Sequence, residues 1–152
     1  MYRLHTLQHL ELRAPDHRIL NVGEKPCALL ALLAEAGPAG VARDVCRTFL
    51  WESAPPANSS NSLRQALFRL RRALGPESIA DEGGRLILRV PLTTDLADLE
   101  LHIHEGRFID GLDGVRTPIG TALAVGGPTL RRWLTAKQQR IEARLVHVVT
   151  TR

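Results

Sequence analysis

Leu63, Leu67, Leu70 and Leu74 recur at a 4-3-4 spacing within Asn58–Leu74. At 100° per residue they fall within a stripe roughly 60° wide, which predicts a helix whose leucine side packs into a core. Half a turn away stand Asn61, Gln65, Arg69 and Arg72, with Arg64, Phe68 and Arg71 nearer the edges of the exposed face. In the polar run that opens the helix, Asn58, Ser59 or Ser60 is expected to cap it, and Gly75-Pro76 closes it.

Around this helix the period changes. Leu10 and Leu12 alternate with polar residues, so Tyr2–Arg13 and Arg18–Val22 are expected as short strands, turning at Ala14-Pro15-Asp16-His17. A helix then starts at Gly23-Glu24-Lys25-Pro26, with the proline near the first helical position, where its missing N–H costs nothing. It carries Leu29, Leu30, Leu32 and Leu33, and Gly37-Pro38-Ala39-Gly40 ends it. A second helix over Ala42–Leu50 places Val45, Cys46, Phe49 and Leu50 on adjacent stripes, and Pro55-Pro56 forbids continuation beyond Trp51. After the leucine-striped helix, Ser78–Asp81 and Arg85–Val90 are expected to pair around Gly83-Gly84, a dipeptide suited to a tight hairpin. The order small sheet, three helices, hairpin is that of a helix-turn-helix with a longer turn and a wing.

Beyond Leu92-Thr93-Thr94 the character changes. Asp95–Glu105 fits a helix with Leu96, Leu99 and Ile103 inward, and the glycine-rich residues 106–127 look irregular. A long helix is expected from Pro128, with Leu130, Trp133, Leu134, Ile141, Leu145 and Val148 on one side. That stripe needs a covering surface: the Asp95 helix, the winged region or another chain. The expected division is a winged-helix domain over 1–93 and a helical segment over 94–152.

Composition adds little until charge is located. The chain has 152 residues, 44% apolar and 24% charged, ordinary for a soluble globular protein. Net charge is +4, and Asn58–Leu74, with four arginines and no acid, supplies all of it. Charge concentrated on one element is the footprint of a nucleic-acid reader, and guanidinium forks and side-chain amides match phosphates and major-groove base edges. Four neutralised phosphates would give a log–log salt slope of about −3.6.

Other chemistries find no constellation. Cys27 and Cys46 lie among apolar neighbours and read as buried free thiols, too few to hold zinc. His102 and His104 diverge by roughly 160° on a helix, so no metal pair is expected. Gly114–Thr121 resembles a phosphate loop but has no lysine before Thr121 and is interrupted by Pro118. Trp51 and Trp133 are expected in the core, and Phe68 either at a thymine methyl or packed at a protein interface or against Trp51. No apolar run reaches the ~18 residues that span a bilayer, and Met1–His5 lacks a signal peptide's apolar region. The expectation is a cytoplasmic protein that is not an enzyme and uses no cofactor or metal.

Trp51-Glu-Ser followed by Asn61-Ser-Leu-Arg-Gln-Ala-Leu-Phe-Arg-Leu-Arg-Arg-Ala-Leu-Gly75 closely resembles the output region of the antibiotic regulatory protein (SARP) activators. Those proteins carry an OmpR/PhoB-type winged helix followed by a bacterial transcriptional activator domain. Lys25–Leu33, Phe49-Leu50-Trp51, Gly84–Leu88, Thr94–Glu100, Glu105–Leu112 and Arg132-Trp133-Leu134 add to the likeness, with Leu63–Leu74 its most specific part. The resemblance implies an α+β winged helix-turn-helix: a four-stranded N-terminal antiparallel sheet, three helices, a C-terminal β-hairpin wing, then an α-helical segment. It also implies double-stranded promoter DNA as partner, on direct repeats, with RNA polymerase and a homo-oligomer as further partners. By position, Gln65 and Arg69 would face bases, flanked by Arg64, Phe68 and Arg72; Asn61, placed on the same face by its spacing, joins the expected DNA contacts. Arg71 would lie against phosphate, and Arg85 would reach phosphate or the minor groove. Two departures stand out. Ala42 occupies the usual Ser or Thr cap of the second helix, and the activator domain normally runs further than Arg152. The chain is then either part of a longer protein or a short form. The rival reading is a protein-interaction or oligomerisation module on the same scaffold, motivated by the long Pro128 helix.

Overall fold

The computed structural model describes residues 1–6, 9–104 and 128–150. In chain order they form β1 (Tyr2–His5), β2 (Glu11–Arg13), β3 (Ile19–Leu20), α1 (Glu24–Ala36), a 3₁₀ turn (Gly37–Ala39) and β4 (Val41–Ala42). Then come α2 (Arg43–Trp51), α3 (Pro56–Leu74), β5 (Ile79–Glu82), β6 (Arg85–Leu88), β7 (Leu92–Thr94), α4 (Asp95–His104) and, here named α5, Pro128–Thr150. The glycine-rich 106–127, the phosphate-loop lookalike within it and the likeness over Glu105–Leu112 lie outside the described residues, as do the side chains of Leu99, His102, Ile103, His104, Leu145 and Val148.

The α+β winged helix-turn-helix is present, with two refinements. The first sheet runs β3-β2-β1-β7. Its three N-terminal strands are antiparallel, but the fourth comes from beyond the wing and lies parallel to β1, with Tyr2 opposite Leu92 and Leu4 opposite Thr94. The expected boundary between residues 93 and 94 therefore falls inside a strand. The second sheet runs β4-β6-β5, so the wing hairpin gains a third strand in which Val41 pairs with Leu86. Gly83 and Gly84, at φ 60° and 83°, make the hairpin's two-residue turn, the all-positive geometry of a type I′ turn. Gly40 (φ 70°) admits the third strand. A Cβ there would stand 2.7 Å from both the Leu86 carbonyl oxygen and Ile87 Cγ1.

Helix α1 is the centre of the core, buried at every position from Pro26 to Leu33 and packed against α2, α3 and the second sheet. Burial pushes the Cys27 thiol up to about 11, helped by Glu24, and that of Cys46 to about 11 as well. Both are free and buried, with too little thiolate near neutrality to react.

Helix α5 covers its apolar stripe within the chain from Leu130 to Ile141. Leu130 and Leu134 join the central core, Ile141 is buried, and the helix packs on α2 and α4. Phe49 of α2 meets Trp133 edge-to-face at 6.1 Å. Polar latches fix the arrangement. Thr129 donates to Glu52 through its N–H (2.9 Å) and hydroxyl (2.6 Å), so the end of α2 caps α5. Lys137 bridges Glu35 of α1 (2.5 Å) and Glu100 of α4 (2.7 Å). Burial pulls the Lys137 ammonium down, but its bonds to Glu100 and Glu35 outweigh this and hold it above its ordinary value. At the head of α4, Asp95 accepts from Thr6 N–H (2.9 and 3.0 Å) and Thr6 hydroxyl (2.9 Å).

Candidate nucleic-acid interface

Helix α3 is long because nothing in its sequence breaks it before Gly75, and it starts earlier than the polar run suggested. Pro56 sits at its first turn and pre-sets the helical φ there. Asn58, Ser59 and Ser60 consequently lie within the first turns and do not cap. Ser59 is buried and donates back to the Pro56 carbonyl at 3.0 Å, while Ser60 accepts from Arg47 Nη1 at 2.6 Å. That last bond ties α2 to α3 and helps fix how the two helices cross. Ala42 is the residue before α2 and provides no side-chain cap.

The leucine stripe is buried as its spacing requires, with Leu63, Leu67, Leu70 and Leu74 all at 7% exposure or less. Opposite it Asn61, Gln65, Phe68 and Arg72 repeat the same 4-3-4 interval, flanked by Arg64 and Arg69, and all six are exposed. Asn61, Arg64, Gln65, Arg69 and Arg72 make no side-chain hydrogen bond or ion pair with any described residue. The face thus offers three guanidinium forks and two amides unpaired among the described residues, with one apolar ring, Phe68, at 63% exposure. It can accept acceptor-rich, anionic surfaces, because forks left free of carboxylates keep all five donors for a ligand.

Two expected contact residues have other partners. Arg71 is half-buried, and its Nε and Nη2 both donate to the Ile79 carbonyl, at 3.1 and 2.9 Å. Its fork pins the C-terminal end of α3 to β5 instead of standing free for a phosphate. Arg85 Nε and Nη2 donate to the Ala39 and Gly40 carbonyls at 3.0 and 3.2 Å, which anchors the wing to the turn after α1. Near the wing turn, Asp81 binds Arg43 at 2.9 Å and accepts from Gly84 N–H at 3.1 Å, and Glu82 pairs with Arg89. Acids and bases alternate there, so the wing tip is close to neutral while α3 is not.

The neighbourhood of α3 contains a cation that the helix pattern alone does not reveal. Lys25, in the first turn of α1, lies with its Nζ 5.5 Å from the Trp51 ring centroid. It shares a cleft with Trp51, Ser62, Gln65 and Arg69. A shallow groove of about 610 Å³ on the other flank runs between Arg69, Arg72 and the Ile19–Gly23 stretch. Only the packing of α1 across α3 could have disclosed either. Trp51 and Trp133 are half-buried and packed against the edge of the core.

Comparison with known proteins places this geometry. No family model matches the chain, and no curated protein matches it by sequence. Among solved structures, Mycobacterium tuberculosis EmbR in complex with a low affinity phosphopeptide is similar, with a TM-score of 0.63 and 24% identity. The match takes in 98% of this chain and 44% of the EmbR chain, so this chain spans less than half of that one. The likeness shows the fold: from β1 to α5 this chain has the architecture of a portion of EmbR.

Proposed function

We propose that the chain is a sequence-specific DNA-binding transcriptional regulator, an activator of the SARP type, that reads the major groove with α3. One observation carries the reading. A helix buried on its leucine side turns outward three arginines and two amides that have no hydrogen-bond or ion-pair partner among the described residues, with no acid anywhere along it. Gln65 and Arg69 read base edges. Asn61, Arg64, Phe68 and Arg72 flank them, and Lys25 adds charge from α1. Arg71 and Arg85, expected at phosphate, act by holding α3 and the wing in place. The DNA-binding domain takes in β7 and so runs to Thr94, one residue beyond the expected 1–93, and residues 95–152 are the opening of an activator domain. The expected setting is the cytoplasm, on direct repeats in a promoter, as a homo-oligomer that contacts RNA polymerase.

The test is selection of bound sequences from random duplex DNA, repeated with Gln65→Ala and Arg69→Ala. Recovery of a common sequence by the wild type, blurred at one or two positions in the variants, is the expected result. A bidentate arginine–guanine contact is worth about 1–3 kcal/mol of base discrimination. Failure to bind any duplex at low salt would refute the reading.

A further inference from the structure

We propose that Phe68 reads the 5-methyl group of a thymine, so that the preferred DNA site contains a thymine recognised by its methyl and not by its hydrogen-bonding edge. This rests on the reading of α3 as the major-groove helix and adds a base class to it.

The outward ladder of α3 is Asn61, Gln65, Phe68, Arg72, set two residues out of step with the buried ladder Leu63, Leu67, Leu70, Leu74. Three of its rungs donate or accept hydrogen bonds; the fourth is an aromatic ring, 63% exposed. An isolated exposed apolar residue needs no explanation on an ordinary surface. Here its setting restricts the occupant. Arg64 and Arg72 stand one helical turn on either side, Gln65 stands beside it, and the helix has no acid. A partner that covered the ring would have to be anionic overall and apolar at one point. In a major groove the apolar group available is the thymine methyl, set among phosphates and acceptor atoms that suit the neighbouring forks.

The spacing fits stepwise reading. At ~1.5 Å rise per residue, Phe68 lies ~4.5 Å along the axis from Gln65 and ~6 Å from Arg72. Base pairs recur every ~3.4 Å. With α3 laid along the groove, the methyl-bearing pair lies one to two steps from the pair read by Gln65, on the side toward Arg72.

The experiment uses the full chain and the duplex recovered by selection. Each thymine in turn is replaced by deoxyuridine, which removes the methyl and keeps the pairing. Loss of one buried carbon group weakens binding about fourfold. The expected result is such a loss at one or two adjacent positions and near-silence elsewhere. In Phe68→Ala the thymine and deoxyuridine duplexes should bind equally, while Phe68→Leu should retain part of the difference. Both variants change an exposed side chain, and an unaltered thermal melt verifies that they fold.

Tight binding to the selected duplex with no methyl dependence anywhere overturns the inference and leaves the DNA-reading helix standing. Methyl dependence that survives in Phe68→Ala overturns it too. So does a Phe68→Ala protein that keeps its methyl ratio but loses a second, cooperatively bound copy, since the ring would then serve a protein contact. Absence of binding to any duplex removes the parent reading and this one together.

Discussion

Among the arginines of α3, position along the helix separates two jobs. Arg71 spans to the Ile79 carbonyl with two donors, whereas Arg72, one residue on, makes no hydrogen bond or ion pair with any described residue. Arg71→Ala should lower stability by about 1–3 kcal/mol, because it removes a charged donor pair and strands a carbonyl. Arg72→Ala should stay within about 0.5 kcal/mol of wild type and lose DNA affinity instead. Urea denaturation beside electrophoretic shifts separates the two, and equal stability losses would contradict the assignment. Ala42 offers the opposite kind of change. Its backbone already has the extended conformation of a cap (φ −61°, ψ 143°) but no side-chain acceptor. Ala42→Ser is expected to stabilise the fold by about 0.5–2 kcal/mol, seen as a raised denaturation midpoint. Which side chains face outward on α3 was legible in the sequence, since periodicity alone decides it. What Arg71 and Arg85 bind was not, because their acceptors belong to β5 and to the turn after α1, brought near only by folding.

Elements were legible in proportion to their length. Helices α1, α2, α3 and α5 follow from runs of apolar spacing; the first three are bounded within a residue or two of where they were expected, and α5 starts at the expected Pro128. Strands β4 and β7, of two and three residues, carry too little alternation to be detected, and both owe their existence to partners far along the chain. The covering of α5 was likewise undetermined between three surfaces; α2 and α4 together supply it as far as Ile141. The cap of α5 gives this packing a pH signature. Bonds from the Thr129 hydroxyl and then its N–H hold the Glu52 carboxyl below its ordinary 4.5. A depressed folded-state value stabilises above the unfolded value and is lost as pH falls through the folded one. The first turn of α5 should therefore loosen below about pH 4.5. With Trp51→Phe to silence the other indole, Trp133 fluorescence should report that transition. Glu52→Ala should abolish the step while the signal starts nearer its acid value. A profile unchanged by Glu52→Ala would mean that the cap does not hold the helix.

For the molecule as a whole, charge placement matters more than the net +4. Arg64, Arg69, Arg72 and Lys25 share one side, while the wing tip is balanced by Asp81 and Glu82. If all four cations lie in the field of the phosphates, binding should follow a log–log salt slope of about −3.6, and Lys25→Ala should flatten it to about −2.7 without changing the preferred sequence. An unchanged slope would remove Lys25 from the interface. The first sheet, finally, bears on how the chain is made. Arg3 and Thr93 face each other across a sequence separation of 90 residues. On the ribosome, β1 must wait with one edge open until Thr94 has cleared the exit tunnel, and only then does Asp95 arrive to take up the Thr6 amide. Late closure of that kind slows folding and leaves a template for stray strand pairing. Nascent chains stalled before Leu92 should therefore be the ones that chaperones hold.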